Sequence, residues 1–294
     1  MAAPDNAHMP RATPPTIVFV HANGFPAGTY RLLFEAWRHA GWRVAAIDRL
    51  GHDPALPVTS NWPHLRDELL RFIQSSGAGG RAAAVHLVGH SLGGYVSLAA
   101  ASRRPELVRS LVLLDAPLVG GWRAAGVRLL KATGLMGRYG PGRVSQARRD
   151  TWPSAADAFR HFASKPVFAR WDQRVLHDYV ATGTEPDPSH PPDEGGTRRG
   201  GGPAVRLSFR PEVETRIYNT LPHQLDALVK RHPLRCGVSF IGGTRSNEVR
   251  QAGMAATRRL VQDRIEWIAG GHLFPMERPD ETAAAVLRAL GRPG

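Results

Sequence analysis

The chain has 294 residues, 42% of them hydrophobic and 21% charged, with a formal net charge of +13 at pH 7 and one cysteine. Such a chain can bury a real core, which excludes collagen-like and wholly disordered proteins, and no apolar run reaches the ~18 to 20 residues of a membrane span. The lone Cys236 excludes an intramolecular disulfide framework and a cysteine-rich metal cluster, and it fits a reducing compartment. A basic chain raises the question of nucleic acid. Only three of the 38 basic residues are lysine, the arginines run along the whole chain with one denser stretch at 123–149, and no zinc-finger, RNA-recognition or basic-zipper spacing occurs. An arginine-rich solvated surface accounts for the charge, and no nucleic-acid partner is expected.

In chain order, residues 1–15 carry Pro4, Asp5, Asn6 and Pro10 where a secretory peptide needs apolar residues. They read as a flexible tail on a cytoplasmic protein. Short apolar runs then alternate with helical patterns. The runs are 16–20, 43–47, 85–88, 110–114, 237–241 and 264–268; the helices are expected near 30–39, 64–74, 92–103, 248–262 and 279–290. This alternation is the mark of a parallel sheet with crossover helices. It is interrupted once, over 117–228, too long for a crossover. That stretch carries Trp122, Trp152, Phe159, Phe162, Phe168, Trp171 and Tyr179 and is expected to fold as a largely helical cap, with a flexible Gly- and Pro-rich loop at 182–203. The core is then 16–116 with 229–294.

The most informative stretch runs from the strand at 85–88 through Gly89-His90-Ser91-Leu92-Gly93-Gly94 into a helix. This is G-x-S-x-G between a strand and a helix. So sharp a reversal forces strained angles on Ser91, and Cβ atoms two residues to either side would collide, which Gly89 and Gly93 avoid. The turn lifts the Ser91 hydroxyl to the carboxyl edge of the sheet, and the helix start turns the Leu92 amide toward any anion held there. Serine needs a base to take its proton. Far along the chain, Gly270-Gly271-His272 follows the last apolar run and supplies one in His272.

These motifs resemble those of the α/β-hydrolase family. Gly89 to Gly93 resembles its nucleophile elbow, Asn23-Gly24-Phe25-Pro26 its oxyanion loop, Asp48-Arg49-Leu50-Gly51-His52 its D-x-x-G-H turn, and Gly270 to Glu277 the loop bearing its catalytic histidine. The resemblance implies an α/β fold with a mostly parallel, helix-flanked sheet and a cap. It also implies Ser91 as nucleophile, His272 as base, and the backbone amides of Leu92 and Phe25 as oxyanion hole. Between Phe25 and its neighbours the alignment leaves a two-residue ambiguity, because His21 follows the strand directly. The third triad member departs from the usual pattern: Ser246 stands near the expected acid in Gly242-Gly243-Thr244-Arg245-Ser246-Asn247-Glu248. Some family members place the acid after the strand that follows the elbow helix, and Asp115 is there; Glu248 is the alternative.

The resemblance therefore implies a serine hydrolase acting on an ester-like small molecule, carboxylic ester or thioester; with no Walker loop, G-x-G-x-x-G fingerprint or clustered metal site in the sequence, no cofactor or metal is expected. Carbon–carbon bond hydrolysis, acyl transfer or proton abstraction on the same Ser-His site stays open, as does a non-catalytic binding protein. A carboxylate-nucleophile mechanism is disfavoured by the serine. His21, His52, His86 and His90 read as turn or packing residues. The aromatics of 117–228 pack or line an apolar pocket, and Arg123, Arg128, Lys131, Arg138 and Arg143 face water or attract an anionic substrate.

Overall fold

A computed structural model describes residues 14–75, 84–133, 142–190 and 203–291. Its strands are β1 (Thr16–Val20), β2 (Arg43–Ala46), β3 (Val85–His90), β4 (Val108–Leu114), β5 (Thr151–Trp152), β6 (Thr184–Pro186), β7 (Val205–Leu207), β8 (Gly237–Gly243) and β9 (Ile265–Ile268). All six runs expected as strands form one sheet, ordered β2-β1-β3-β4-β8-β9 with every neighbouring pair parallel.

The central strands are apolar on both sides because both faces are covered. Along β1, Ile17 and Phe19 point to one core, and Val18 and Val20 to the other. The first core takes Leu33, Phe34 and Trp37 of α1 (Arg31–His39); the second takes Leu65, Leu69 and Ile73 of α2 (Pro63–Ser75) with Val96 and Leu98 of α3 (Leu92–Arg103).

Between β4 and β8 lie α4 (Gly121–Ala132), α5 (Gly142–Gln146), α6 (Ala155–Ala163), α7 (Gln173–Gly183), α8 (Pro211–Asn219) and α9 (Leu225–Arg231). The segment is not only helical: β5, β7 and β6 pair there as an antiparallel sheet. The expected loop at 182–203 is accordingly structured at its start, where Thr184–Pro186 forms β6 and the buried Asp187 carboxylate accepts the Ser189 amide. Residues 191–202 lie outside the described residues, as do 1–13 of the expected tail. Trp152, Phe162, Phe168, Trp171 and Tyr179 pack against one another, mostly in tilted and edge-on contacts, and Phe25 of the sheet's first loop joins them through Trp171 and Tyr179. Their work is packing. Trp122 stands apart, 76% exposed.

The chain closes with α10 (Asn247–Ala252), α11 (Ala255–Val261), α12 (Phe274–Glu277) and α13 (Pro279–Leu290). The single helix expected over 248–262 is two, because Gly253 ends the first in a left-handed conformation with φ +70°. Among the described residues, no helix is long and apolar enough to cross a membrane.

Candidate active site

Two neighbouring strand ends turn by the same device. Ser91 follows β3, its N–H donating to the Leu114 carbonyl at 2.9 Å; Asp115 follows β4, its N–H donating to the Ile241 carbonyl at 2.8 Å. Each then takes a positive φ, 51° at Ser91 and 44° at Asp115, which costs a side-chain-bearing residue of order 1–3 kcal/mol. At the elbow no side chain fits beside the turn: a Cβ on Gly93 would lie 2.0 Å from the Val20 carbonyl oxygen, and one on Gly89 would lie 2.4 Å from the Gly93 carbonyl. The elbow helix thus starts hard against the end of β1.

The loop after β9 brings His272 to this edge. The Ser91 hydroxyl donates to His272 Nε2 at 2.9 Å, and His272 Nδ1–H donates to Asp115 Oδ2 at 2.7 Å. Asp115 is fully buried and also accepts the Gly243 N–H on Oδ1 at 2.8 Å and the Ser246 hydroxyl on Oδ2. Glu248 Oε2 is 3.7 Å from the same His272 Nδ1 and its side chain is 47% exposed. Burial of His272 opposes its charge, but the hydrogen bond and negative charge of Asp115, with the charge of Glu248, outweigh that cost and hold its pKa above the ordinary histidine value. The carboxylate also fixes the tautomer, leaving Nε2 free to accept.

Three supports make bonds that the sequence does not specify. Ser246, near the usual acid position, is linked to the site by its hydroxyl on Asp115 and caps α10 by accepting the Val249 N–H. His90 bridges inward: the Tyr30 hydroxyl donates to its Nδ1 at 2.7 Å, and its Nε2–H donates to the His272 carbonyl at 3.0 Å. Burial pushes its pKa down to about 3, so it is a neutral strut. Glu277 accepts the Gly271 N–H at 3.3 Å. Adjacency to Ser91 was the only sequence signal for His90, and none marked Glu277. Three histidines named from the sequence are held in turns and packing: His21 accepts the Leu50 N–H at 2.8 Å, His52 accepts the Arg210 N–H at 3.1 Å, and His86 bonds Ser110.

Leu92 opens α3, so its N–H has no carbonyl of its own helix to reach. The Phe25 N–H, expected to be the second free amide, instead donates to the Ala22 carbonyl at 3.2 Å. Gly24, with φ +82°, sits within that turn.

A cavity of about 480 Å³ opens over Ser91 and His272. Phe25, Val167 and Leu273 give it apolar walls; Ser145, Glu214, Tyr218, Arg170 and Arg245 give it polar ones. Glu214 is buried, accepting the Ser145 hydroxyl at 2.9 Å and pairing with Arg148 at 3.3 Å. The basic residues that the sequence suggested for anion attraction are not on these walls: Arg128 lines a separate groove and Lys131 donates to the Leu221 carbonyl at 2.8 Å, while Arg123 lies over the Trp122 ring and Arg143 is exposed on α5. Arg138 lies outside the described residues. Asp115, Glu248 and His272 have ligand atoms within 4.8 Å of one another, a set that could hold a metal ion. An ion there would have to displace the protons that Asp115 now accepts from His272 and Ser246.

Residues 17–285 match the model of the Alpha/beta hydrolase family. Monoglyceride lipase of Rattus norvegicus is 30% identical over 114 residues, which is 37% of this chain and 37% of that protein, so the match spans well under half of the curated relative. Among solved structures, E-2-(acetamidomethylene)succinate hydrolase superposes with a TM-score of 0.68 at 20% identity over 94% of this chain and 91% of that one. The thioesterase domain from the curacin biosynthetic pathway gives 0.64 at 19% identity over 93% and 91%. These two likenesses show the fold. With the family match running from the first strand to the last helix, the chain belongs to the alpha/beta hydrolase family.

Proposed function

We propose that the protein is a serine hydrolase that cleaves an ester-like bond, a carboxylic ester or thioester, in a small molecule by way of an acyl-enzyme. The observation that carries this reading is the unbroken hydrogen-bonded line Ser91–His272–Asp115, at 2.9 and 2.7 Å, opening into a cavity. Ser91 Oγ attacks the carbonyl carbon while its proton passes to His272 Nε2. Asp115, charged and buried, stabilises the imidazolium. His272 then gives that proton to the departing alkoxide or thiolate, leaving the acyl group on Ser91. A water molecule, deprotonated by His272, attacks the acyl carbon and releases the carboxylic acid and the free serine.

The tetrahedral oxyanion sits at the start of α3, where the Leu92 N–H is one donor. Phe25 N–H is the second, and it serves by sharing its proton between the Ala22 carbonyl and the oxyanion. Each such donor is worth roughly 3 to 4 kcal/mol. The segment 117–228 acts as the cap, since Ser145, Val167, Arg170, Glu214 and Tyr218 of the cavity wall come from it. The names of the relatives, a lipase and a thioesterase among them, support acyl chemistry. Acyl transfer and carbon–carbon hydrolysis share the first half of this course and diverge in what attacks or leaves. The single free cysteine is consistent with a cytoplasmic setting, and the reading requires neither nucleic acid nor cofactor.

The test is a fluorophosphonate probe on the folded protein, with peptide mapping, beside a panel of esters and thioesters graded by acyl length. A stoichiometric adduct on Ser91 together with turnover of at least one ester supports the reading. Folded protein that takes up no label and turns over nothing in the panel overturns it and favours a binding protein.

A further inference from the structure

Helix α4 turns its largest apolar side chains outward. On a 100° per residue wheel, Trp122, Ala125, Gly126, Leu129, Leu130 and Ala132 fall on one side, and all six are exposed. Trp122 is 76% exposed, Leu129 64% and Leu130 39%, and the helix buries no residue at all. Its inward side is mixed: Arg123 and Lys131 share it with the partly buried Ala124 and Val127. Lys131 is tied to the Leu221 carbonyl and to Asn61, and Arg123 lies beside Gly253. An amphipathic helix normally buries its apolar stripe in its own protein; here that stripe is presented outward.

The charges around the stripe indicate what it meets. The Arg123 guanidinium lies 4.5 Å from the centre of the Trp122 ring. Arg128 flanks the stripe, and Arg231 stands across the groove between α4 and α9; among the described residues neither is ion-paired. The nearby acid, Asp226, is already paired with Lys230 at 2.7 Å and Arg259 at 3.4 Å. A short convex helix with Trp and Leu outward and unpaired arginines at its flanks matches an interface that is apolar at depth and anionic at its surface.

We infer that α4 docks the protein onto an anionic lipid surface, lying in the headgroup plane with Trp122 and Leu129 inserted and Arg128 and Arg231 on lipid phosphates. With 12 residues the helix lies on such a surface and does not span it. The inference stands apart from the assignment of Ser91 chemistry.

The experiment is co-sedimentation of the full chain with vesicles of phosphatidylcholine alone, or with about one-third phosphatidylglycerol, with light scattering on the free protein. The wild type is expected to pellet with the anionic vesicles, less so at high salt, and weakly with the neutral ones. Trp122→Ser/Leu129→Ser should weaken that binding about tenfold or more while melting temperature and turnover of a water-soluble short-chain ester stay unchanged. Arg128→Glu/Arg231→Glu should remove the preference for anionic vesicles. Wild-type protein that ignores both vesicle types overturns the inference, as does a serine variant that binds equally well. A dimer in free solution that the serine variant dissociates also overturns it, by assigning the stripe to a second copy.

Discussion

The sheet edge and the segment 117–228 meet at one cavity but are made in opposite ways. At the edge, Ser91 and Asp115 are each fixed by a backbone bond to the next strand and a positive φ, and Asp115 by buried partners as well, so each functional atom has little freedom. Across the cavity the wall comes from side chains on short helices, several of them exposed, such as Val167 and Arg170. Substitutions at the edge should therefore act on kcat, and those in the segment on KM and on its own stability. If both regions affect the two parameters alike, the division fails.

The largest effect belongs to Ser91. Ser91→Ala should lower kcat roughly a millionfold with the fold intact, measured as turnover beside circular dichroism. Asp115→Asn should follow at about a thousandfold to ten-thousandfold, because the amide no longer holds His272 in the right tautomer. Glu248→Gln should cost under about tenfold, as that carboxylate lies 3.7 Å from Nδ1 and faces solvent. Equal losses in the two variants would transfer the orienting role away from Asp115. Gly93→Ala probes the edge without touching a reacting group: with Val20 oxygen at 2.0 Å from the new Cβ, we expect more than about 4 kcal/mol of destabilisation by denaturant titration.

Glu214 is the sharpest comparison from the other side. Glu214→Gln removes the charge paired with Arg148 and should lower stability by about 3 kcal/mol, since both groups are mostly buried. It should raise KM while kcat stays within about tenfold. A collapse of kcat equal to that of Asp115→Asn would show that the segment takes part in the chemistry.

What the sequence alone reveals follows the same division. Six strands, the elbow at Ser91 and the approach of His272 were legible because each rests on local patterns: apolar runs, glycines two residues from the serine, and a histidine after the last strand. The split of 248–262 into two helices escaped because a single glycine is compatible with a continuous helix and only its φ of +70° ends it. The bond from Phe25 to Ala22 was hidden because a motif fixes which amides are near the site, not where their protons point. Least legible were the cavity's charged residues. The dense arginine stretch suggested Arg123 and Arg128, but Arg170 and Arg245 line the wall, and contacts across such distances in the chain leave no periodic trace. The small sheet β5-β7-β6 leaves no sequence pattern either, its strands being only two or three residues long.

The smallest expected effect is the most discriminating for the edge. Activity needs His272 neutral in the resting enzyme, so kcat/KM should fall on the acid side through an inflection above the ordinary histidine value, because Asp115 and Glu248 together hold the proton on. Glu248→Gln removes the second of these charges and should move the inflection to lower pH, leaving the plateau nearly unchanged. At a pH just below the wild-type inflection the variant then keeps a larger share of its own maximum. Stability should change in step. A histidine whose folded pKa is raised stabilises the fold below its unfolded pKa, and loses that contribution as pH rises through the folded value. The variant should accordingly gain less stability on acidification than the wild type, in matched denaturation series. An inflection that stays put in Glu248→Gln would mean that Asp115 alone sets the titration of His272, and that the half-exposed carboxylate is screened by water.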